Sequence, residues 1–214
     1  MSKIQEIAAL VENGKVKLIE DLVQEALDAG EDPAAILNDG MIAAMSIVGA
    51  KFQANEIFVP EMLVAAKTMK KGVEILRPHL ASDSIGKKGK YIIGTVAGDL
   101  HDIGKNLVAL MIESAGFEVI DLGVDVPAEK FIEAIKNNPD CKIVGASSLL
   151  TTTMDALKNT VSAIIEAGYK DQVKIMVGGA PVTQAFADEI GADAYTPDAG
   201  SAAVKAVELA ERSA

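Results

Sequence analysis

The sequence predicts an α/β chain in two parts: an N-terminal four-helix bundle, then a five-stranded parallel sheet with helices on both faces. Three observations predict it. Apolar residues recur at helical spacing through the first 80 or so positions. A Ser/Gly/Lys-rich stretch, ASDSIGKKGK, breaks the pattern at 81–90. Beyond it, short continuous apolar runs alternate with amphipathic segments, as in a parallel sheet buried on both faces.

The helical part, 1–80, is justified segment by segment. Ile4, Ile7, Ala8 and Val11 share one face, and Ile19, Leu22, Val23 and Ala26 share another. Asn13-Gly14 and Ala29-Gly30 separate these segments, and Asp32-Pro33 reads as an N-cap followed by proline at the first helical position. Met41, Met45, Val48 and Phe52 form a third stripe. A fourth helix opens at Pro60 and aligns Met62, Ala66, Met69, Val73 and Leu76, with Lys67, Lys70, Lys71 and Glu74 off that stripe. Short turns between helices of this length predict a bundle. Residues 81–90 read as a linker.

In 91–214 the expected strands are YIIGTVA (91–97), VIDLG (119–123), KIVGASS (142–148), KIMVGG (174–179) and AYT (194–196). Helices are expected to start near Lys105, Pro127, Thr153, Gln184 and Ser201. Such alternation matches a flavodoxin-like, Rossmann-type sheet of order 2-1-3-4-5, which binds ligands beyond the carboxyl ends of its strands, where strands one and three diverge.

Composition narrows the function. The 214 residues carry a net charge of −11, no basic stripe appears, and the Lys-rich GKKGK at 86–90 is too short for a nucleic-acid footprint. The N-terminus is charged and helix-patterned, unlike a secretory signal, and no run approaches 18 apolar residues, so neither export nor a membrane span is expected. A lone cysteine, Cys141, rules out an intrachain disulfide and a Cys-built metal centre and fits a cytoplasmic protein. Cys141 reads as a packing residue, and His79 as a residue near a helix end.

The switch-point rule selects three loops: GDLHDIG (98–104), SSLLTTT (147–153) and GGAPVTQ (178–184). The first holds His101 between Asp99 and Asp102, which leaves catalytic base, metal ligand and salt-bridged surface residue open. A phosphoacceptor site needs an acidic residue at the end of strand three, where Ser147 and Ser148 stand. A flavin mononucleotide site needs a Ser/Thr-rich phosphate loop after strand one, a dinucleotide site needs Gly-x-Gly-x-x-Gly there, and a zinc hydrolase needs several converging ligands. None is present. An imidazole offered as a single axial ligand remains, with Asp99 placed to hydrogen-bond its other nitrogen and the metal held mainly by a macrocycle.

At this point a resemblance applies. Asp-x-His-x-x-Gly, here Asp99, His101 and Gly104, resembles the signature of the cobalamin-binding domains of corrinoid methyltransferases and mutases. The likeness extends through DLGVDVPAEKF (121–131), GASSLLTTTMDAL (145–157), VGGAPVT (177–183) and GADAY (191–195), and KFQANEIFVPEMLVAAKTMKKGVEIL (51–76) is similar to the helical cap of the methyltransferase branch. The closest type is the stand-alone corrinoid protein of anaerobic methylamine, betaine, methanol or methoxyarene systems.

The resemblance implies a cobalamin or related corrinoid and a methyl carrier without catalytic residues of its own. It would accept a methyl group on Co(I) and pass it on as methyl-Co(III). Implied partners are a substrate-specific methyltransferase, a second methyltransferase to tetrahydrofolate or coenzyme M, and a reductive activase. His101 would be the lower cobalt ligand, bonded to Asp99. Gly104 would allow close approach of the cofactor's nucleotide tail, Gly178 and Gly179 would flank it, and Ser147 and Thr151 would hydrogen-bond tail and corrin. Thr153 stands where methionine synthases have a serine completing a ligand triad. Asp102 reads as a helix N-cap or a second cobalt-tuning group, and Phe52, Val59 and Met62 match cap residues over the upper face. Rival readings are an adenosylcobalamin-dependent mutase subunit, a cobalamin-dependent regulator and a flavodoxin-like protein that binds another ligand.

Overall fold

The computed structural model describes residues 2–80 and 88–212, so residues 81–87 of the expected linker lie outside it. The described residues fall into two compact units, one within Met1–Lys87 together with Ser114–Gly116, the other within Lys88–Glu113 and Phe117–Ala214.

The first unit contains helices α1 (Lys3–Glu12), α2 (Ile19–Asp28), α3 (Pro33–Gln53) and α4 (Val59–Leu76). Ser2 caps α1 reciprocally: its hydroxyl accepts the Gln5 N–H at 3.3 Å while the Gln5 side chain accepts the Ser2 N–H at 3.1 Å. Asp32 accepts the Ala34 N–H at 3.2 Å with Pro33 in the first turn, as the Asp-Pro pair predicts. The expected stripe does not foresee one feature of α3: Ile36–Ile42 is wound as a π-helix. Within that wider turn Ile36, Leu37, Gly40 and Met41 are buried. By length and composition α3 could cross a membrane, but Ile36, Met41, Met45 and Val48 are buried in the protein's core. Lys71 pairs with Glu20 at 2.6 Å and Lys51 with Glu12, linking α4 to α2 and α3 to α1.

The second unit is a five-stranded, wholly parallel sheet in the order β2-β1-β3-β4-β5, as predicted. The strands are β1 (Lys90–Thr95), β2 (Glu118–Asp121), β3 (Cys141–Ser147), β4 (Lys174–Gly178) and β5 (Ala194–Tyr195). Between and after them run α5 (Ile103–Ser114), α6 (Ala128–Asn137), α7 (Met154–Glu166), α8 (Gln184–Ile190) and α9 (Ala199–Arg212). Ile92, Val144, Ile175, Phe131, Leu157 and Val161 are fully buried in one cluster, each such side chain contributing about 1.5–3 kcal/mol of burial. Cys141 is buried here too, and burial pushes its thiol up to about 11.

The register sets the floor of the site. Thr95 lies beside Ser147, and Ser147 beside Gly178, so β1, β3 and β4 end in one row. The loops that follow all leave from the same edge.

Candidate cofactor site

After β1 the chain turns through Gly98, which adopts φ 81°, a left-handed conformation that glycine takes without strain. The turn carries Asp99 into the protein, where it has no exposed surface. Asp125 fixes the turn from the neighbouring loop: its carboxylate accepts the Gly98 N–H at 2.7 Å, and its own N–H donates to the Asp99 carbonyl at 2.9 Å. Thr95 donates its hydroxyl to the His101 carbonyl at 2.9 Å.

Both oxygens of the Asp99 carboxylate are occupied. Oδ1 accepts the His101 main-chain N–H at 3.0 Å and stands 2.6 Å from His101 Nδ1. Oδ2 accepts the Leu149 N–H at 2.6 Å, the Leu150 N–H at 3.4 Å and the Thr153 hydroxyl at 3.1 Å. Burial pushes the Asp99 carboxyl up, but hydrogen bonds from Leu149, His101 and Thr153 outweigh it and hold the group down at about 2. Asp99 is therefore ionised at neutral pH. A carboxylate only accepts, so the proton of a neutral imidazole sits on Nδ1 and the Nε2 lone pair is free to donate.

The His101 side chain is 50% exposed, and Nε2 has no hydrogen-bond partner among the described residues. The loops around it expose large apolar side chains: Ile103, Leu100, Leu149 and Leu150. Among the described residues no three His, Cys, Asp or Glu side chains gather as a metal site. One oriented imidazole in an apolar setting fits a metal whose other ligands come with it in a large planar organic frame. It does not fit a hydrated ion held by protein alone.

A profile described as a B12 binding domain matches residues 89–208, and a second of the same description matches residues 3–77. The chain belongs to the B12-binding family. It is 42% identical to dimethylamine corrinoid protein 2 of Methanosarcina acetivorans over 208 residues, 96% of this chain and 95% of that protein. It is 44% identical to the trimethylamine corrinoid protein of Methanosarcina barkeri over 191 residues, 88% of each. A chain in the solved methanol:cobalamin methyltransferase complex of Methanosarcina barkeri superposes with a TM-score of 0.86 at 29% identity, covering 98% of this chain and 80% of that one.

Within this B12-binding chain the expected residues are placed unequally. Asp99, His101 and Thr153 form one bonded cluster. Ser147 Oγ lies 3.0 Å from Thr95 Oγ1 in the terminal row, with Gly178 next along it. Gly179 follows at φ 127°, and a Cβ there would stand 1.8 Å from the Ser148 carbonyl oxygen, so that contact admits glycine alone. Thr151 is exposed in the 3-10 turn Thr151–Thr153 before α7. Asp102 serves the start of α5: its carbonyl accepts the Asn106 N–H at 2.7 Å and its carboxylate accepts Asn106 Nδ2 at 3.1 Å. A Cβ at Gly104 would meet no atom within 4 Å. In the first unit Met62 is fully buried, Phe52 half-buried and Val59 exposed.

Sequence reasoning missed several parts. Ser148 is fully buried with its hydroxyl 2.8 Å from that of Thr153. The main-chain donors of Leu149 and Leu150 carry no side-chain signature. Lys105, named from the sequence only as a helix start, is buried and bonded to Asp121 and to Asn106 at 2.7 Å. The adjacent Asp-rich loops offered a signal for that pair, but only tertiary placement identifies the partner.

Proposed function

We propose that this protein is a corrinoid methyl carrier of a methylamine-type methyltransferase system. One observation carries the reading: a half-exposed imidazole whose Nδ1 is bonded to a fully buried carboxylate, leaving Nε2 as the nitrogen that would hold cobalt. Reduced corrinoid cobalt supplies a nucleophile that no side chain offers. His101 would hold the more oxidised, methylated cobalt through a lone pair whose strength Asp99 sets. Ser147, Thr151, Gly178 and Gly179 receive the nucleotide tail beyond the ends of β1, β3 and β4, with Gly104 allowing close approach and Asp102 holding the first turn of α5 in place. From the helical unit Phe52 and Val59 would shield the reactive face, whereas Met62, fully buried, offers no surface for that role.

The partners in this reading are a methylamine-specific methyltransferase and a second methyltransferase, to tetrahydrofolate or coenzyme M. A reductive activase restores the cofactor after adventitious oxidation, and the system operates in the cytoplasm. The methylamine assignment draws support from relatives named for dimethylamine and trimethylamine. The same likeness, running over 96% of the chain, favours a carrier over a mutase subunit or a regulator.

Reconstitution with cob(II)alamin tests the ligand. Wild type should show the visible and electron-spin signature of one axial nitrogen, and His101→Ala should lose it. An unchanged spectrum in His101→Ala overturns the assignment. Turnover with the neighbouring methyltransferase then tests the donor: methylamines should be demethylated, and exclusive use of methanol, betaine or a methoxyarene overturns the methylamine assignment.

A further inference from the structure

We propose that Ser148 is a positioning residue that directs the Thr153 hydroxyl towards Asp99 and thereby weakens the hold of His101 on cobalt. The inference rests on the ligand role proposed for His101 and adds a fourth member to the chain of groups behind it.

Counting protons leads to it. Thr153 Oγ1 lies 2.8 Å from Ser148 Oγ, 3.0 Å from the Leu150 carbonyl and 3.1 Å from Asp99 Oδ2. Ser148 Oγ lies 3.2 Å from the same Leu150 carbonyl. Each hydroxyl has one proton to give, whereas the carbonyl and the carboxylate only accept. Three directed chains satisfy the geometry. In the first, Ser148 donates to Thr153 and Thr153 donates to Asp99. In the second, Thr153 donates to Ser148 and Ser148 donates to the Leu150 carbonyl. In the third, Ser148 donates to Thr153 and Thr153 donates to the Leu150 carbonyl.

The first chain ends on a charge, and charge-assisted bonds are the stronger ones. It also leaves no acceptor bare, because the Leu150 carbonyl already takes the Thr153 main-chain N–H at 3.1 Å. Donation from Ser148 polarises the Thr153 hydroxyl and strengthens its bond to Asp99. The backbone holds Ser148 in place, since its N–H donates to the Gly178 carbonyl at 3.1 Å and its own carbonyl abuts Gly179. Its hydroxyl can therefore rotate only within this network.

The consequence passes along the chain. The more firmly Thr153 donates to Oδ2, the less charge Oδ1 presents to the His101 ring N–H, and the weaker a donor Nε2 becomes. Removing the Ser148 hydroxyl should relax that restraint and tighten ligation. Residues directly behind metal ligands shift affinity about 10- to 100-fold when changed, so a residue two bonds further back should shift it about three- to tenfold.

The experiment reconstitutes wild type, Ser148→Ala, Ser148→Cys, Thr153→Val and Ser148→Ala/Thr153→Val with cob(II)alamin, and reads the ratio of His-bound to His-free cobalt from the nitrogen hyperfine splitting. Ser148→Ala should raise the ratio, Thr153→Val should raise it further, and the double variant should match Thr153→Val. Ser148→Cys, close in size with a weaker donor, should fall between wild type and Ser148→Ala. An unchanged ratio in Ser148→Ala, or a Ser148 effect that persists in the Thr153→Val background, overturns the inference. A wild-type protein with no axial-nitrogen signal overturns the ligand role itself, and with it this inference.

Discussion

Asp99 holds His101 at two points through one oxygen, accepting its main-chain N–H at 3.0 Å and facing its ring Nδ1 at 2.6 Å. The orientation of the imidazole is thus built into the loop before any cofactor arrives. Every neighbour of the carboxylate is a donor, so the site requires a group that only accepts.

Asp99→Asn tests that requirement. Whichever way the amide sits, its NH2 faces either the His101 N–H or the Leu149 N–H. Affinity for axial ligation should fall about 10- to 100-fold, measured by titrating His-bound against His-free cobalt in the visible spectrum. Equal affinity in wild type and Asp99→Asn would show that the carboxylate charge is idle.

Acid should destabilise the protein partly through the same group. Asp99 titrates near 3.8 in the unfolded chain and at about 2 in the folded one. Between those values the unfolded state binds more protons, so stability falls as pH drops through the window. The contribution, about 2 kcal/mol, is complete above pH 5 and lost near pH 2. Urea melts of apo wild type and Asp99→Asn should converge as pH is lowered from 5 to 2. Parallel curves would remove Asp99 from the acid response.

Two glycines of the site should respond in opposite ways to alanine. Gly179→Ala meets the Ser148 carbonyl at φ 127° and should cost about 2 kcal/mol or more, displacing the loop behind Asp99. Gly104→Ala has open space inside α5 and should stabilise the apo-protein by up to about 1 kcal/mol. If Gly104 admits the cofactor closely, the same variant should bind cobalamin more weakly. Thermal melts and cobalamin titrations separate the two effects.

The pair Lys105–Asp121 should be asymmetric. The lysine side chain is 2% exposed and the aspartate 40%. Asp121→Ala strands a buried cation and should cost about 3 kcal/mol, whereas Lys105→Met leaves a carboxylate that water can reach and should cost much less. Equal losses in chemical denaturation would contradict that reasoning.

The strands were legible because their evidence is local: β1 and β3 read as continuous apolar runs, their order following from the alternation with helices, and Asp32-Pro33 marks a helix start by backbone chemistry alone. His101 and Asp99 were legible as a pair because two residues separate little in space. Ser148 was not. A buried hydroxyl and a solvated one are the same letter, and the difference lies in β4, whose Gly178 carbonyl fixes the Ser148 backbone. The π-wound turn at Ile36–Ile42 was hidden for a similar reason, since an apolar run that fits a regular helix also fits a wider one. The burial of Lys105 had no local signature, since only the partner at Asp121 makes it tolerable.

The seat of His101 also carries a timetable. Asp99 is held by groups 50 to 54 positions further along the chain, at Leu149 and Thr153. During synthesis the loop bearing the imidazole emerges first and stays unsupported until β3 has crossed over and docked beside β1. Such long-range parallel pairing is a late event in folding. A nascent chain that has exposed only GDLHDIG lacks the donors that hold Asp99. Under the ligand role proposed for His101, the cofactor is expected to meet a finished sheet, unlike small zinc domains that need the metal in order to fold at all.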